Sequence, residues 1–364
     1  MTDGNTENRI NEKALIAMSG GVDSSVAALL TSRMGYSCAG CTMKLYENED
    51  AGVPREKGCC SLDDIEDARS VAFRLGMPYY VFNFTEDFRE KVICRFVEAY
   101  ENGRTPNPCI DCNRFLKFER LYERGRVLNY DKIVTGHYAR IVKEDGRYAL
   151  KKALDSSKDQ SYVLYALTQE QLRHTLFPLG ELTKAEVRDI ARENGFLNAD
   201  KKDSQDICFV PDGDYAKMIE RTTGKKSEPG DYVDVDGNVL GQHKGIIRYT
   251  VGQHKGLGYP FPEPMYVLRI NKEKNQVVLG PSEALFSSEA FVPAFHWISG
   301  EAKKEPFRAM AKLRYRQKEQ PCTVTPLDTG GVRLLFDTPQ RAVTPGQAAV
   351  VYDGDTVLGG GELK

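Results

Sequence analysis

Ala14-Leu-Ile-Ala-Met-Ser-Gly-Gly-Val-Asp-Ser-Ser-Val-Ala-Ala-Leu-Leu30 contains the change of period that decides the fold. Ala14 to Met18 is an unbroken apolar run, the pattern of a strand buried on both faces, and Ser24–Met34 carries apolar residues at helical spacing. Between them lies Ser19-Gly-Gly-Val-Asp-Ser24. Consecutive backbone N–H groups from Ser19, Gly20 and Gly21, with the positive N-terminal end of the following helix, make a cradle for an anion, so a phosphate group belongs at this turn. No lysine follows the glycines as in G-x-x-x-x-G-K-[ST], and the G-x-G-x-x-G spacing is also missing.

Outward from this turn, short apolar runs alternate with amphipathic stretches. Strands are expected at Ser37–Lys44, Pro78–Phe82 and Lys132–Thr135, and helices at Leu62–Leu75, Phe88–Tyr100 and Asn113–Leu128. Ser61-Leu-Asp-Asp64 reads as a capping box for the first of these helices. Strands separated by helices predict parallel βαβ units, hence an open α/β sheet with helices on both faces. After about Cys208 the texture changes to glycine-rich, β-branched segments. From Phe291 to Lys364 nearly everything reads as strand and turn, so a small β-barrel is expected. The expected units are 1–210, 211–272 and 273–364.

The 364 residues are 41% hydrophobic and 28% charged, an ordinary globular balance. No apolar run approaches the roughly 20 residues of a membrane span. The first 13 residues are polar, without a signal-peptide stretch, so a cytoplasmic location is expected. A net charge of −2 excludes a protein that coats nucleic acid everywhere, but the charge is uneven. Between Glu301 and Gln320 seven basic residues stand against three acidic ones, while Met1–Ser70 has seven basic against twelve acidic. A local basic face fits a polyanionic partner docking on one side.

Nine cysteines in a chain of this kind point to catalysis or metal binding rather than a disulfide framework. Thr105-Pro-Asn-Pro-Cys109-Ile-Asp-Cys112-Asn113 is a proline-stiffened loop expected to enter a helix at Asn113, which would put Cys112 at a helix N-terminus, where a thiolate is favoured. Cys208 closes the α/β half, and the two cysteines meet if the βα loops converge at the carboxyl ends of the strands. Cys38 and Cys41 lie on an expected strand and would face opposite ways, so they chelate poorly. Cys109 and Cys112 form a C-x-x-C, and with Cys208 would offer three thiolates to a 4Fe–4S cluster with one iron open. A persulfide route needs only two cysteines. Both routes stay open.

The strand, S-G-G-x-D-S turn and helix resemble the PP-loop of ATP pyrophosphatases (adenine nucleotide alpha hydrolase-like), which adenylate a carbonyl oxygen and release pyrophosphate. Ser19–Ser24, Gly58-Cys59-Cys60, Thr105-Pro-Asn-Pro108, Cys112-Asn113, Thr135-Gly-His-Tyr138, Lys158-Asp-Gln-Ser161, Cys208-Phe209, Tyr249-Thr-Val-Gly-Gln253 and Thr344-Pro-Gly-Gln347 together resemble the bacterial tRNA-specific 2-thiouridylases, from about Ala14 to Gly361. The order of the motifs is more specific than any one of them. In that family ATP adenylates the C2 oxygen of a tRNA wobble uridine, and sulfur from a persulfide then displaces AMP.

The resemblance implies that Ala17, Met18, Ser19, Gly20, Gly21, Val22, Asp23 and Ser24 hold ATP, with magnesium as counter-charge and Met43 and Gly136 nearby. It makes Cys208 the persulfide carrier and Cys112 the nucleophile that releases the sulfur, leaving a Cys112–Cys208 disulfide to be reduced. It matches Asn107, Pro108, Cys109, His137, Lys158, Asp159, Gln160, Arg314, Tyr315 and Gln347 to tRNA contacts. Lys158 and Arg314 can neutralise phosphate, and Tyr315 can stack on an exposed base. The partners implied are tRNA and a persulfide sulfur donor. One departure stands out: many members carry aspartate where this chain has Cys109, and Asp111 is displaced from that position by two residues. Two competing classes are a PP-loop ligase acting on a small molecule, which needs neither Cys112 nor Cys208, and a non-catalytic RNA-binding or iron–sulfur protein.

Overall fold

The computed structural model describes residues 12–46, 62–201 and 207–364. Gly58-Cys59-Cys60, the Ser61 cap and the run Asp203–Asp206 lie outside the described residues. Strands β1 Lys13–Ala17, β2 Ser37–Lys44, β3 Tyr79–Asn83 and β4 Lys132–Val134 are followed by the hairpin β5 Ala139–Glu144 and β6 Arg147–Lys152, then the short β7 Thr175–Leu176. Helices α1 Val22–Arg33, α2 Leu62–Arg74, α3 (85–101), α4 (108–127), α5 Gln169–Arg173 and α6 Lys184–Glu193 connect them.

The order β3-β2-β1-β4-β7 makes a five-stranded, all-parallel sheet. Period 2 on β1 sorts its side chains between two cores. Ala14 and Ile16 pack with Val26 of α1, Val71 of α2 and Val187 of α6. Leu15 packs on the other face with Phe88 and Phe96 of α3 and Leu116 and Leu121 of α4. Leu15 and Ile16 are fully buried, and each contributes about 1.5–3 kcal/mol by leaving water. The same alternation separates Cys38 from Cys41, which join opposite cores, as their spacing predicts.

The chain leaves β1 toward β2 and β3, then returns to place β4 on the other side of β1. The crevice outside the carboxyl ends of β1 and β4 is therefore a topological switch point, where open α/β sheets take ligands.

Helix α7 Tyr215–Thr223 leads into β8 Gly230–Val233, β9 Val239–His243, β10 Tyr266–Asn271 and β11 Gln276–Gly280, ordered β10-β11-β8-β9 around Tyr232, Val267 and Leu279. This sheet runs through the β10–β11 turn at 272 to Gly280. The remaining strands are β12 Phe286–Val292, β13 His296–Trp297, β14 Phe307–Lys312, β15 Gln320–Pro326, β16 Val332–Arg341, β17 Ala348–Asp353 and β18 Thr356–Glu362. Their sheet does not stop at the third unit: β18 pairs with β6 at Thr356 and Lys151, so the hairpin from the α/β half completes it.

Hydrogen bonds fix the halves together. Tyr162, fully buried, donates to the Ala348 carbonyl at 2.8 Å. Gln347 Nε2 donates to the Thr105 carbonyl at 2.7 Å, and Thr105 N–H to the Pro345 carbonyl at 2.8 Å. The Thr105 hydroxyl also reaches Thr250 Oγ1 at 3.2 Å. Two motifs far apart in sequence thus clamp the Thr105 loop.

Candidate active site

The turn after β1 is held from behind. Gly20 adopts φ +74, and a Cβ there would lie 2.5 Å from the Asp64 carbonyl oxygen, so only glycine fits. The Gly20 carbonyl accepts from Asn198 Nδ2 at 2.9 Å, and Lys201 ties Asp64 and Asp67 of α2 at 2.6 and 2.7 Å. Gly21 caps α1 with extended backbone and no side-chain cap, which leaves first-turn N–H groups for a ligand. The Ser19 N–H, expected to face the anion, instead donates to Ser24 Oγ at 3.2 Å, because that hydroxyl folds back to donate to the Gly21 carbonyl. Gly136 approaches so closely that a Cβ would sit 2.8 Å from Ser24 N.

Asp23 is the charged centre of this end. Lys184, first residue of α6, donates to both its oxygens at 2.7 and 2.8 Å, and Tyr138 donates to Oδ1 at 2.8 Å. Sequence reasoning missed Lys184, Asn198 and Lys201. Lys184 is preceded by Thr183 and followed by Glu186, whose reciprocal capping box is legible and places it at a helix start.

A cleft of about 520 Å³ opens at the switch point. Ala17, Met18, Ser19, Asp23, Ser24, Met43 and Gly136 line it, together with Asn107, Pro108, Cys109, Cys112, His137, Gln160, Cys208 and Tyr315. Lys117, Asn113 and Arg316 join them, unanticipated as site residues. Gly20, Gly21, Val22, Lys158, Asp159, Arg314 and Gln347 do not line it. Asp159 braces a turn, accepting from Ala153 N, Ser161 N and Ser161 Oγ at 3.1, 3.2 and 2.8 Å. Arg314 donates to the Arg341 carbonyl at 2.7 Å. Arg314 and Tyr315 lie in the β14–β15 turn rather than on a strand.

The basic run also divides. Arg308 pairs with Asp337, Lys312 lies 3.9 Å from both Asp159 and Glu319, and Arg316 is its basic residue on the cleft. Strand alternation at β14 and the turn after it send these side chains to different places.

Helix α4 begins at Pro108, five residues before the expected start at Asn113. Asn107 caps it, its Oδ1 accepting from Cys109 N–H at 3.1 Å. Cys112 therefore sits in the second turn, and the helix-end field assigned to it falls on Cys109 instead. From Cys112 to Arg120 the helix takes wide i→i+5 turns, with Leu121 N–H reaching the Leu116 carbonyl, a distortion frequent at functional sites. Asn113, 2% exposed, donates to the Val163 carbonyl at 3.0 Å, and its Oδ1 has no partner among the described residues.

Cys208 is anchored by its backbone: its carbonyl accepts from Tyr46 at 2.7 Å, and Phe209 packs edge-on against Phe88 and Phe96. His137 is buried, with Nδ1 2.7 Å from Thr135 Oγ1 and Nε2 3.5 Å from the Lys117 ammonium. Burial and that cation hold its pKa well below the usual value, so the ring is neutral at physiological pH. Asp111 points away from the cleft and pairs with Arg95 at 3.0 Å; burial raises its pKa although Arg95 opposes the shift. It does not stand in for a carboxylate at position 109. Among the described residues no three His, Cys, Asp or Glu side chains gather to hold a metal ion, so Cys109, Cys112 and Cys208 share a cleft without forming a cluster ligand set.

Residues 12–212 match a family described as tRNA methyl transferase HUP domain, 216–281 its PRC-barrel domain, and 287–363 an aminomethyltransferase beta-barrel domain. The tRNA-specific 2-thiouridylase MnmA of Clostridioides difficile is 50% identical over 98% of this chain and 99% of its own length. That of Acetivibrio thermocellus is 52% identical over 97% and 99%. A 4-thiouridine synthetase solved with RNA and bound ATP is a distant likeness, with 19% identity and a TM-score of 0.37 over 58% of this chain and 50% of that one. With all three parts matched in order and relatives half identical along nearly the whole length, the chain belongs to the tRNA-specific 2-thiouridylase family.

Proposed function

We propose that this chain is an ATP-dependent tRNA-uridine 2-sulfurtransferase acting in the cytoplasm on the wobble uridine. One observation carries the reading: a single cleft is lined both by the start of α1, with the compensated Asp23, and by Cys112 and Cys208. A phosphate site alone would fit a small-molecule ligase. The thiols beside it support sulfur transfer over the methyl transfer in the family description.

ATP lies with its phosphates toward the start of α1, where backbone N–H groups and the Lys184 ammonium meet developing negative charge. Magnesium on the phosphates would add counter-charge, with Asp23 as its carboxylate. The uridine C2 oxygen attacks the α-phosphorus, pyrophosphate leaves, and the N3 proton is lost. A persulfide donor loads Cys208. The terminal sulfur attacks C2, and AMP leaves with its bonding pair. Cys112 thiolate then attacks Cys208 Sγ; the bond to the transferred sulfur breaks, and its electrons remain on the uridine as the 2-thio group. The Cys112–Cys208 disulfide takes two electrons from a thiol reductant before the next cycle. No step requires an iron–sulfur cluster. Neutral His137 and cationic Lys117 position the base, and Arg316 and exposed Tyr315 meet the RNA at the rim.

Nucleoside mass spectrometry tests the reading. Protein, ATP and a small persulfide donor should convert the target uridine to 2-thiouridine with one pyrophosphate per sulfur. Full ATP turnover with no thiolated nucleoside would sink it.

A further inference from the structure

Sulfur transfer employs two cysteines, and a third lines the same cleft. Of the seven cysteines among the described residues, Cys38, Cys41 and Cys322 pack into the cores. Burial pushes the Cys38 and Cys322 thiols up to about 11 and Cys41 higher still, which keeps all three protonated and inert. Cys94 is exposed on α3 and does not line the cleft. Cys109, Cys112 and Cys208 do. Of these three, Cys112 and Cys208 are half-buried and Cys109 is exposed.

Cys109 and Cys112 are the second and fifth residues of α4, where the backbone is still α-helical; the wide turns begin only at Cys112. Helical neighbours at i and i+3 share a face, with Cβ atoms about 5–6 Å apart. A disulfide joins residues whose Cα atoms lie about 4.4–6.8 Å apart, so this pair can close with a small adjustment. The first turn can make that adjustment cheaply. Pro108 has no N–H, and the Cys109 N–H is held by the Asn107 side chain, not by a carbonyl of the helix ladder.

We propose that Cys109 is a resolving cysteine, which takes over the disulfide left by sulfur transfer and carries it to the surface. The proposal rests on the sulfurtransferase reading. Cys109 thiolate attacks Cys112 Sγ of the Cys112–Cys208 disulfide. The Cys109–Cys112 bond forms, the Cys112–Cys208 bond breaks, and its electron pair leaves on Cys208 as thiolate, with no net change in oxidation state. Cys208 is then ready to accept the next sulfur. A dithiol reductant attacks Cys109, and its two electrons return Cys109 and Cys112 to thiols while the reductant becomes a disulfide. Exchange depends on access to the sulfur attacked, so a protein dithiol enters at the exposed Cys109.

One round of thiolation without reductant tests this. Full-length protein, loaded from a small persulfide donor, is mixed with ATP and tRNA, quenched in acid, alkylated and digested with trypsin. Cys109 and Cys112 fall on one peptide, cut after Arg104 and Arg114, and Cys208 on another. The expected wild-type product is an internal Cys109–Cys112 disulfide with alkylated Cys208. Cys109→Ser should instead retain the two peptides cross-linked through Cys112 and Cys208. With a protein dithiol as reductant, its steady-state rate should fall roughly tenfold further than its first-round yield, because exchange at a half-buried sulfur is slow. A wild-type chain that stays cross-linked through Cys208, or a Cys109→Ser variant that loses first-round yield and steady-state rate equally, overturns the resolving role and leaves sulfur transfer standing. A wild-type chain that makes no 2-thiouridine overturns the sulfurtransferase reading and the resolving role with it.

Discussion

Two helices start at the reaction cleft, and they finish their ends in opposite ways. Helix α1 begins after Gly21, which has no side chain to offer, so its first N–H groups await a ligand. Helix α4 begins with Pro108, which has no N–H, and Asn107 takes the next N–H at 3.1 Å. The same backbone geometry thus yields an anion site in one place and a closed platform for thiols in the other. The cap decides between them, because a helix end carries unsatisfied donors until something local or foreign accepts them.

The strongest test of that division removes the thiols. Cys208→Ser and Cys112→Ser should each lower 2-thiouridine formation by at least about 10³-fold, since oxygen replaces neither a persulfide nor its attacking thiolate. Pyrophosphate release on tRNA should stay within about threefold. Loss of both activities together would erase the distinction between the two ends.

At the α1 end, Lys184→Ala removes the cation from Asp23, and pyrophosphate release should fall by roughly 10²-fold, the scale of one lost charge-stabilising donor. Its tRNA affinity should hold within about twofold.

Exchanging the caps probes the comparison directly. Gly21→Asn puts a cap on extended backbone where an added Cβ meets only Ser19 Oγ, at 3.5 Å. ATP should bind about tenfold more weakly with no loss of melting temperature, because the new side chain occupies donors meant for phosphate. Asn107→Ala should instead lower stability by about 1 kcal/mol and leave ATP affinity unchanged. Equal effects of both substitutions on ATP would show that the caps are not what separates the ends.

The smallest effect concerns pH. His137 has a lowered pKa in the folded chain, so acid favours the unfolded state, which takes up the proton more readily. Its stabilisation is complete above the unfolded value of about 6.5 and declines as the pH drops below it. His137→Asn should flatten the fall in melting temperature between about pH 6.5 and 5. An unchanged slope would assign the acid sensitivity to other groups.

The phosphate end was legible because its parts are contiguous. A strand, two glycines and a helix start within Ala14–Leu30 fix the path of the chain, and β1 and α1 form there. The start of α4 was misread because prolines ordinarily mark loops, although Pro108 at a first helical position is compatible with the missing N–H. The basic run looked like one face because charge was counted along the chain, whereas β14 and its turn disperse Arg308, Lys312 and Arg316. Asp159 and Gln347 belong to their motifs yet their side chains make bonds inside the protein, and linear order does not say which way a polar side chain turns. Cutting away the expected third unit, 273–364, would not isolate an RNA surface, because β18 completes a sheet with β6 and Ala348 holds Tyr162.

By itself, the sequence determined the parallel sheet, the anion-binding turn, the opposite facing of Cys38 and Cys41, and the β-rich second half. Each follows from periodicity or from glycine within a few neighbouring residues, where local sterics suffice. Only the tertiary structure brought Cys112 and Cys208 to one cleft, set Lys184 on Asp23, turned Asp111 away, and joined Thr105, Thr250 and Gln347 at one clamp. Those pairings span tens to hundreds of residues, and their geometry depends on how the sheet's loops converge and how the β units dock.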